Sequence, residues 1–223
     1  MVAREKDLEI NLEDLPIIGD IIAENVPYDV FLNTDYGDIP VEWVRGKVVV
    51  VAGGASPLHN KIANYLYMLF KLFIDRTIKG EIYTDPTLMK VEAVNVSRAP
   101  DIFYLAPDNP ADVEDKQVVG VADLVVEVVS EGSGRTDRIH KFLEYEKSGV
   151  KEYWIIDFRK KDAQFWVLKE GIYTEQLPDE ANIYHSTVLT GFYFDVTTLW
   201  QNPLPNSIVI YDMVQRMLKK DES

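Results

Sequence analysis

The strongest pattern along the chain is helical. Leu58, Ile62, Leu66, Leu69, Phe70 and Phe73 recur at three- and four-residue intervals, which stacks apolar side chains on one helix face. Ser56 before Pro57 offers an N-cap followed by proline at the first helical position. The pattern predicts a helix to about residue 78, with Gly80 as its stop. Residues 137–148 form a second, shorter helix closed by Gly149 in the C′ position, and 208–220 form a third.

Strand signals lie between these helices. Val41-Glu-Trp-Val-Arg-Gly-Lys-Val-Val-Val-Val-Ala52 reads as two short strands meeting at Gly46. Asp123-Leu-Val-Val-Glu-Val-Val-Ser130 is a β-branched run of the kind that makes a buried central strand. Short strands are also expected at 81–84, 88–91, 101–105, 151–157 and 164–169, with Gly171 turning into 172–176. The stretch 106–120, carrying Asp108, Asp112, Glu114 and Asp115, reads as an exposed loop. The sum is an α/β fold with a mixed sheet, one long helix before it and a shorter helix after the strand that carries Glu127.

Composition narrows the classes. The 223 residues suit one domain with a terminal extension, and 47% apolar residues can supply its core. Zero cysteines exclude disulfides, a thiol nucleophile and Cys-ligated metal, so the expected compartment is the cytoplasm. No apolar run approaches the ~18–20 residues of a membrane span, and the first residues lack the apolar core of a signal peptide.

Charge complicates any nucleic-acid role. The formal net charge is −14, which opposes general attraction to phosphate backbones. Eight of the acids fall in residues 1–29, whose Ile and Leu positions predict a packed arm or short helices. Residues 135–161, by contrast, hold eight basic side chains against five acidic ones. A DNA enzyme would need the acids of 1–29 and 106–120 placed away from its cleft.

Two carboxylates sit where a fold rarely wants them. Asp101 follows Pro100 at the start of an apolar strand, and Glu127 lies inside Leu124-Val-Val-Glu-Val-Val129. Alternation puts Asp123, Val125, Glu127 and Val129 on one face. A carboxylate there must be paired, protonated or bound to a cation. Two readings follow: a site, or a strand-end acid paired with a nearby arginine. If their strands are neighbours, the two acids can give Mg²⁺ the one or two carboxylates it takes alongside water.

Ala99-Pro-Asp-Ile-Phe-Tyr-Leu105, then Ala122-Asp-Leu-Val-Val-Glu-Val-Val-Ser130, then Asp137, Lys141, Tyr145 and Gly149-Val-Lys-Glu-Tyr-Trp-Ile-Ile-Asp157 together resemble the Uma-type restriction endonuclease family, within the PD-(D/E)XK nuclease superfamily. The resemblance covers residues 39–200, including Ser56-Pro and His59 before the long helix and Gly191-Phe-Tyr-Phe-Asp195. The resemblance implies a restriction-endonuclease-like domain over 39–207, between an acidic arm (1–38) packed on it and a C-terminal helix (208–223). It implies a Mg²⁺- or Mn²⁺-dependent endonuclease acting on DNA, with Asp101 and Glu127 as metal ligands. The superfamily's lysine, two residues after the glutamate, is replaced here by Val129, and the resemblance assigns its work to Lys141.

Each assignment has a plainer counterpart. Lys141 shares an i, i+4 stripe with Asp137 and Tyr145, apart from the side formed by Ile139, Phe142, Leu143 and Glu146, so it overlooks a site or faces solvent. Asp137 orients Lys141 if the site is real. His59 is an accessory to the site or a helix-start histidine with a local hydrogen bond. Glu42 matches a family glutamate and joins the metal cluster, or is a partly exposed strand acid; Asp85 in Thr84-Asp-Pro reads as a turn residue. The Ser130–Thr136 turn lacks the spacing of a nucleotide-binding loop, and no nucleophile elbow or paired-histidine zinc motif is present.

Two rival functions remain. One is a catalytically inactive nuclease-fold protein used for binding or assembly, consistent with Val129. The other is a hydrolase of small phosphodiesters, which suits the acidity. A homodimer fits double-strand cutting.

Overall fold

A computed structural model describes residues 12, 16–51, 56–77, 80–130, 134 and 136–220. The chain opens with strand β1 (Asp20–Ala23) and helix α1 (Tyr28–Asn33), then the hairpin β2 (Val41–Val44) and β3 (Lys47–Val50). Gly46 makes that hairpin turn at φ +82°, following Arg45 at +49°, a left-handed pair of the kind that matches strand twist. Helix α2 (Pro57–Arg76) follows, its Ser56 side chain accepting a hydrogen bond from the His59 amide.

Next come β4 (Glu81–Thr84), β5 (Leu88–Val91), β6 (Val96–Arg98), β7 (Ile102–Leu105), β8 (Asp112–Val113), β9 (Gln117–Val119) and β10 (Leu124–Val128). A wide helical segment, Thr136–Lys141, runs directly into α3 (Phe142–Ser148), which Gly149 ends at φ 94°. The chain finishes with β11 (Glu152–Asp157), β12 (Asp162–Lys169), β13 (Ile172–Glu175), β14 (Ile183–His185), β15 (Tyr193–Asp195) and α4 (Ser207–Lys220).

These strands form two large sheets and a small one. The first has the order β1-β3-β2-β6-β5-β9-β8, the second β13-β12-β11-β10-β7-β4, and β14-β15 pair separately. In the second sheet β10 runs parallel to β11 and antiparallel to β7, so the sheet is mixed as expected. The predicted exposed loop at 106–120 is corrected: it contains β8 and β9, and Gln117 and Val118 are buried because β9 pairs in parallel with β5. Its alternation was too short to register as a strand.

Strand β10 is apolar throughout because both of its faces are covered. Leu124, Val126 and Val128 pack with Ile62, Leu66 and Phe70 of α2 in one core. Val125 and Val129 pack with Tyr145 of α3 and Tyr153 of β11 in the other. At about 25 cal/mol per Å² of apolar surface, such burial drives the assembly of this layer. A carboxylate at position 127 is therefore held by well-packed neighbours on both sides.

Glu152 shows how much polar satisfaction a buried acid needs. Its side chain is fully buried, yet Oε1 accepts from Trp154 Nε1 (2.7 Å) and the Tyr184 hydroxyl (2.9 Å). Oε2 accepts from the Ser186 hydroxyl (3.0 Å), the Thr187 amide and hydroxyl (both 2.8 Å) and the Val188 amide (3.0 Å). This carboxylate ties the 184–188 segment to β11 and explains in structural terms the glutamate of the Gly-Val-Lys-Glu-Tyr-Trp run.

Candidate active site

The pairing of β7 with β10 brings the two unusual acids together. Ile102 lies opposite Val126, so Asp101, just ahead of β7, reaches the far end of β10. Its Oδ2 accepts from the Val128 amide at 2.7 Å. The first turn of α2 supplies His59, whose Nε2 is 3.2 Å from the same oxygen. Burial alone would lower the His59 pKa, but the hydrogen bond and charge of Asp101 prevail and raise it. His59 thus clamps one oxygen of Asp101 and leaves Oδ1 without a protein hydrogen bond among the described residues.

Lys141 arrives from the opposite side of the strand. Its Nζ lies 2.8 Å from Glu127 Oε1 and 3.7 Å from both Glu42 Oε1 and Asp137 Oδ1. The Tyr145 hydroxyl donates to Glu127 Oε1 as well, at 3.1 Å. Burial favours the neutral amine, but Glu127, Glu42 and Asp137 outweigh it and hold the Lys141 pKa well above the usual range. It stays an ammonium. Burial pushes Glu127 upward, with Asp137 and Asp101 adding to the rise and Lys141 opposing it.

A buried ion network fixes this arrangement from below. Arg98 donates to Glu42 Oε2 (2.7 Å) and grips Glu144 with two bonds, 2.9 and 2.8 Å. The Ala99 amide also donates to Glu42 Oε1 at 3.1 Å. Burial raises the Glu42 carboxyl pKa, but Lys141 and Arg98 overcome that and lower it. Glu42 is therefore ionised and buried rather than a partly exposed strand acid.

The helix-face expectation needs correcting too. Asp137, Lys141 and Tyr145 are the buried stripe, whereas Ile139 is 39% exposed. The charged stripe turns inward because Glu127 and Glu42 wait there to pair with it, an attraction that residue-type periodicity does not register. The superfamily's lysine position is occupied by Val129, packed into the second core. Lys141 reaches Glu127 from the helix instead.

Five of the six candidate residues, His59, Asp101, Glu127, Asp137 and Lys141, line one cleft of about 420 Å³. Glu42 sits behind Lys141 and is absent from that lining. The cleft also contains Asp85, which sequence reasoning left as a turn residue. Thr84 pairs with Ile102 across β4 and β7, which carries Asp85 to the rim beside Asp101. Desolvation, Asp101 and Glu42 raise its pKa, against Lys141 and His59. Strand pairing between distant segments was the missing information; an Asp-Pro turn alone carries no such signal.

The donor chemistry fits a hard divalent cation. Among the described residues no group of three or more His, Asp or Glu forms a preassembled metal cluster. Asp101 and Glu127 nevertheless each keep one oxygen without a protein hydrogen bond among those residues, in a cleft with surplus negative charge. One or two carboxylates completed by water is the usual Mg²⁺ provision. The acids of 106–120 do not line the cleft. Much of the positive stretch at 135–161 is spent locally: Arg138 pairs with Asp157 and Asp162, and Lys151 with Asp123. Most of the Ser130–Thr136 turn and the first eleven residues lie outside the described residues.

A mixed sheet flanked by helices, with acids of adjacent strands and a lysine meeting in one cleft, defines a restriction-endonuclease-like α/β protein. The family model described as "Putative restriction endonuclease" (Uma2) matches residues 28–197, and the chain belongs to that family. Among solved structures it resembles one described as "a putative nuclease belonging to DUF820" from Anabaena variabilis ATCC 29413, with a TM-score of 0.63. That match has 15% identity and covers 77% of this chain and 96% of the other. Comparison with curated protein sequences gave no match. No helix among the described residues is long and apolar enough to cross a membrane.

Proposed function

We propose that the chain is a Mg²⁺- or Mn²⁺-dependent endonuclease that hydrolyses DNA phosphodiester bonds. The observation carrying this reading is the 2.8 Å contact of the Lys141 ammonium with Glu127, in the same cleft as Asp101. Asp101 and Glu127 would hold the metal, which supplies an activated water and neutralises charge on the phosphate. Lys141 remains protonated, so it acts as a hydrogen-bond donor, orienting water or stabilising negative charge that builds on phosphorus. It is not a general base. His59 and the Val128 amide fix the rotamer of Asp101, while Asp137 and Glu42 hold the ammonium in place.

Purified protein should nick plasmid DNA with Mn²⁺ or Mg²⁺, and Glu127→Ala should abolish the nicking. Equal activity in the variant would remove Glu127 from the site. A chromogenic phosphodiester run in parallel tests the small-substrate alternative, which turnover of that compound with intact DNA would favour.

A further inference from the structure

A second groove adjoins the cleft. It lies between α2 and the segment leading into α4, and Asn64 of α2 lines both cavities. Its volume is about 820 Å³, roughly twice that of the cleft. The contrast in charge is sharper than the contrast in size. The cleft is ringed by carboxylates, whereas no Asp or Glu lines the groove, in a chain carrying a net −14.

Two lysines line the groove instead. Lys61 projects from α2 and Lys161 from the β11–β12 turn, both exposed. Among the described residues neither has an ion-pair partner, unlike Lys151, Lys160 and Arg138 nearby in sequence. The same turn presents Arg159, whose guanidinium lies 5.9 Å from the Phe158 ring and donates to the Ser130 carbonyl at the cleft edge. The groove surface between the lysines is apolar, built from Leu58, Met68, Phe158, Trp200 and Leu204.

Resting on the nuclease reading of the cleft, we propose that this groove receives a single-stranded DNA segment flanking the bond to be cut. Unpaired lysines neutralise phosphates of the strand, and the apolar floor with Phe158 and Trp200 rewards bases free to leave the stack. A duplex presents sugar and phosphate outward and keeps its bases covered, so it gains little from such a floor. Continuity through Asn64 lets one strand run from the groove into the cleft.

The test is fluorescence anisotropy with labelled oligodeoxythymidylate and a labelled duplex, in EDTA so that no cleavage occurs. The full chain should bind the single strand more tightly than the duplex. The Lys61→Glu/Lys161→Glu double variant, altered only at exposed positions, should bind it roughly tenfold more weakly or worse. The dependence of log affinity on log salt should flatten by about 2. Unchanged single-strand affinity in that variant, or equal affinity of the wild type for both probes, overturns the proposal. Failure of the nuclease reading looks different: no cleavage with Mn²⁺ by any form, while groove-dependent binding persists.

Discussion

Lys141 and Glu127, fourteen residues apart, meet at 2.8 Å across the boundary between a helix and the central strand. Neither is exposed, and the ammonium is hemmed by three carboxylates rather than one. Replacing Lys141 with Met should therefore act twice. Cleavage should fall by about 10²-fold or more, the scale of losing one electrostatic donor. Stability should fall by on the order of 3 kcal/mol, because Glu127, Glu42 and Asp137 lose their shared cation. Nicking assays and urea unfolding read the two effects separately; a variant with full activity would make Lys141 purely structural.

Asp85 offers a test that does not disturb the core. It stands at the rim, and no protein hydrogen bond or ion pair holds it among the described residues. Asp85→Asn removes one repelling carboxylate, so the metal-free protein should melt at the same temperature or slightly higher. The rise in melting temperature caused by Mn²⁺ should shrink in the variant, reflecting weaker binding of the cation. An undiminished Mn²⁺ shift would separate Asp85 from the cation site.

Glu152→Gln should be costly despite its near-identical shape. Six donors converge on the carboxylate, and an amide turns one acceptor oxygen into a donor facing other donors. A loss of about 3 kcal/mol is expected from the unsatisfied groups. Hydrogen exchange should locate the loosening in residues 184–188. Protection there equal to the wild type would contradict the anchoring role.

Asp123 gives the chain an acid-sensitive contact away from the cleft. Burial raises its pKa, but the Lys151 bond (2.7 Å), the Ala106 amide (2.7 Å) and Asn109 (2.7 Å) together lower it below the usual 3.8. A carboxyl with a depressed folded pKa stabilises the fold above its unfolded value and loses that contribution as pH falls through the folded one. Asp123→Asn should accordingly be less stable than the wild type at neutral pH, with the gap narrowing below about pH 4. Denaturant melts at several pH values check this, and a gap that widens in acid would refute it.

The sequence alone determined the elements whose signals are local. Long apolar periodicity, Ser56-Pro57 and Gly149 placed α2 and the end of α3 within two residues of their observed bounds. The β-branched run from Leu124 placed the central strand, because burial on both faces demands apolar residues at every position. Residue chemistry also singled out Glu127, since an acid in such a run needs a partner. Which partner was beyond it. Only the tertiary structure turned the charged side of the 137–145 helix inward, joined Glu42 to Lys141 through the network anchored by Arg98, and brought Asp85 to the cleft on a neighbouring strand. Periodicity ranks side chains by how poorly water solvates them, and so reads a charged stripe as surface. Electrostatic pairing between segments depends on distances that exist only once the sheets have formed.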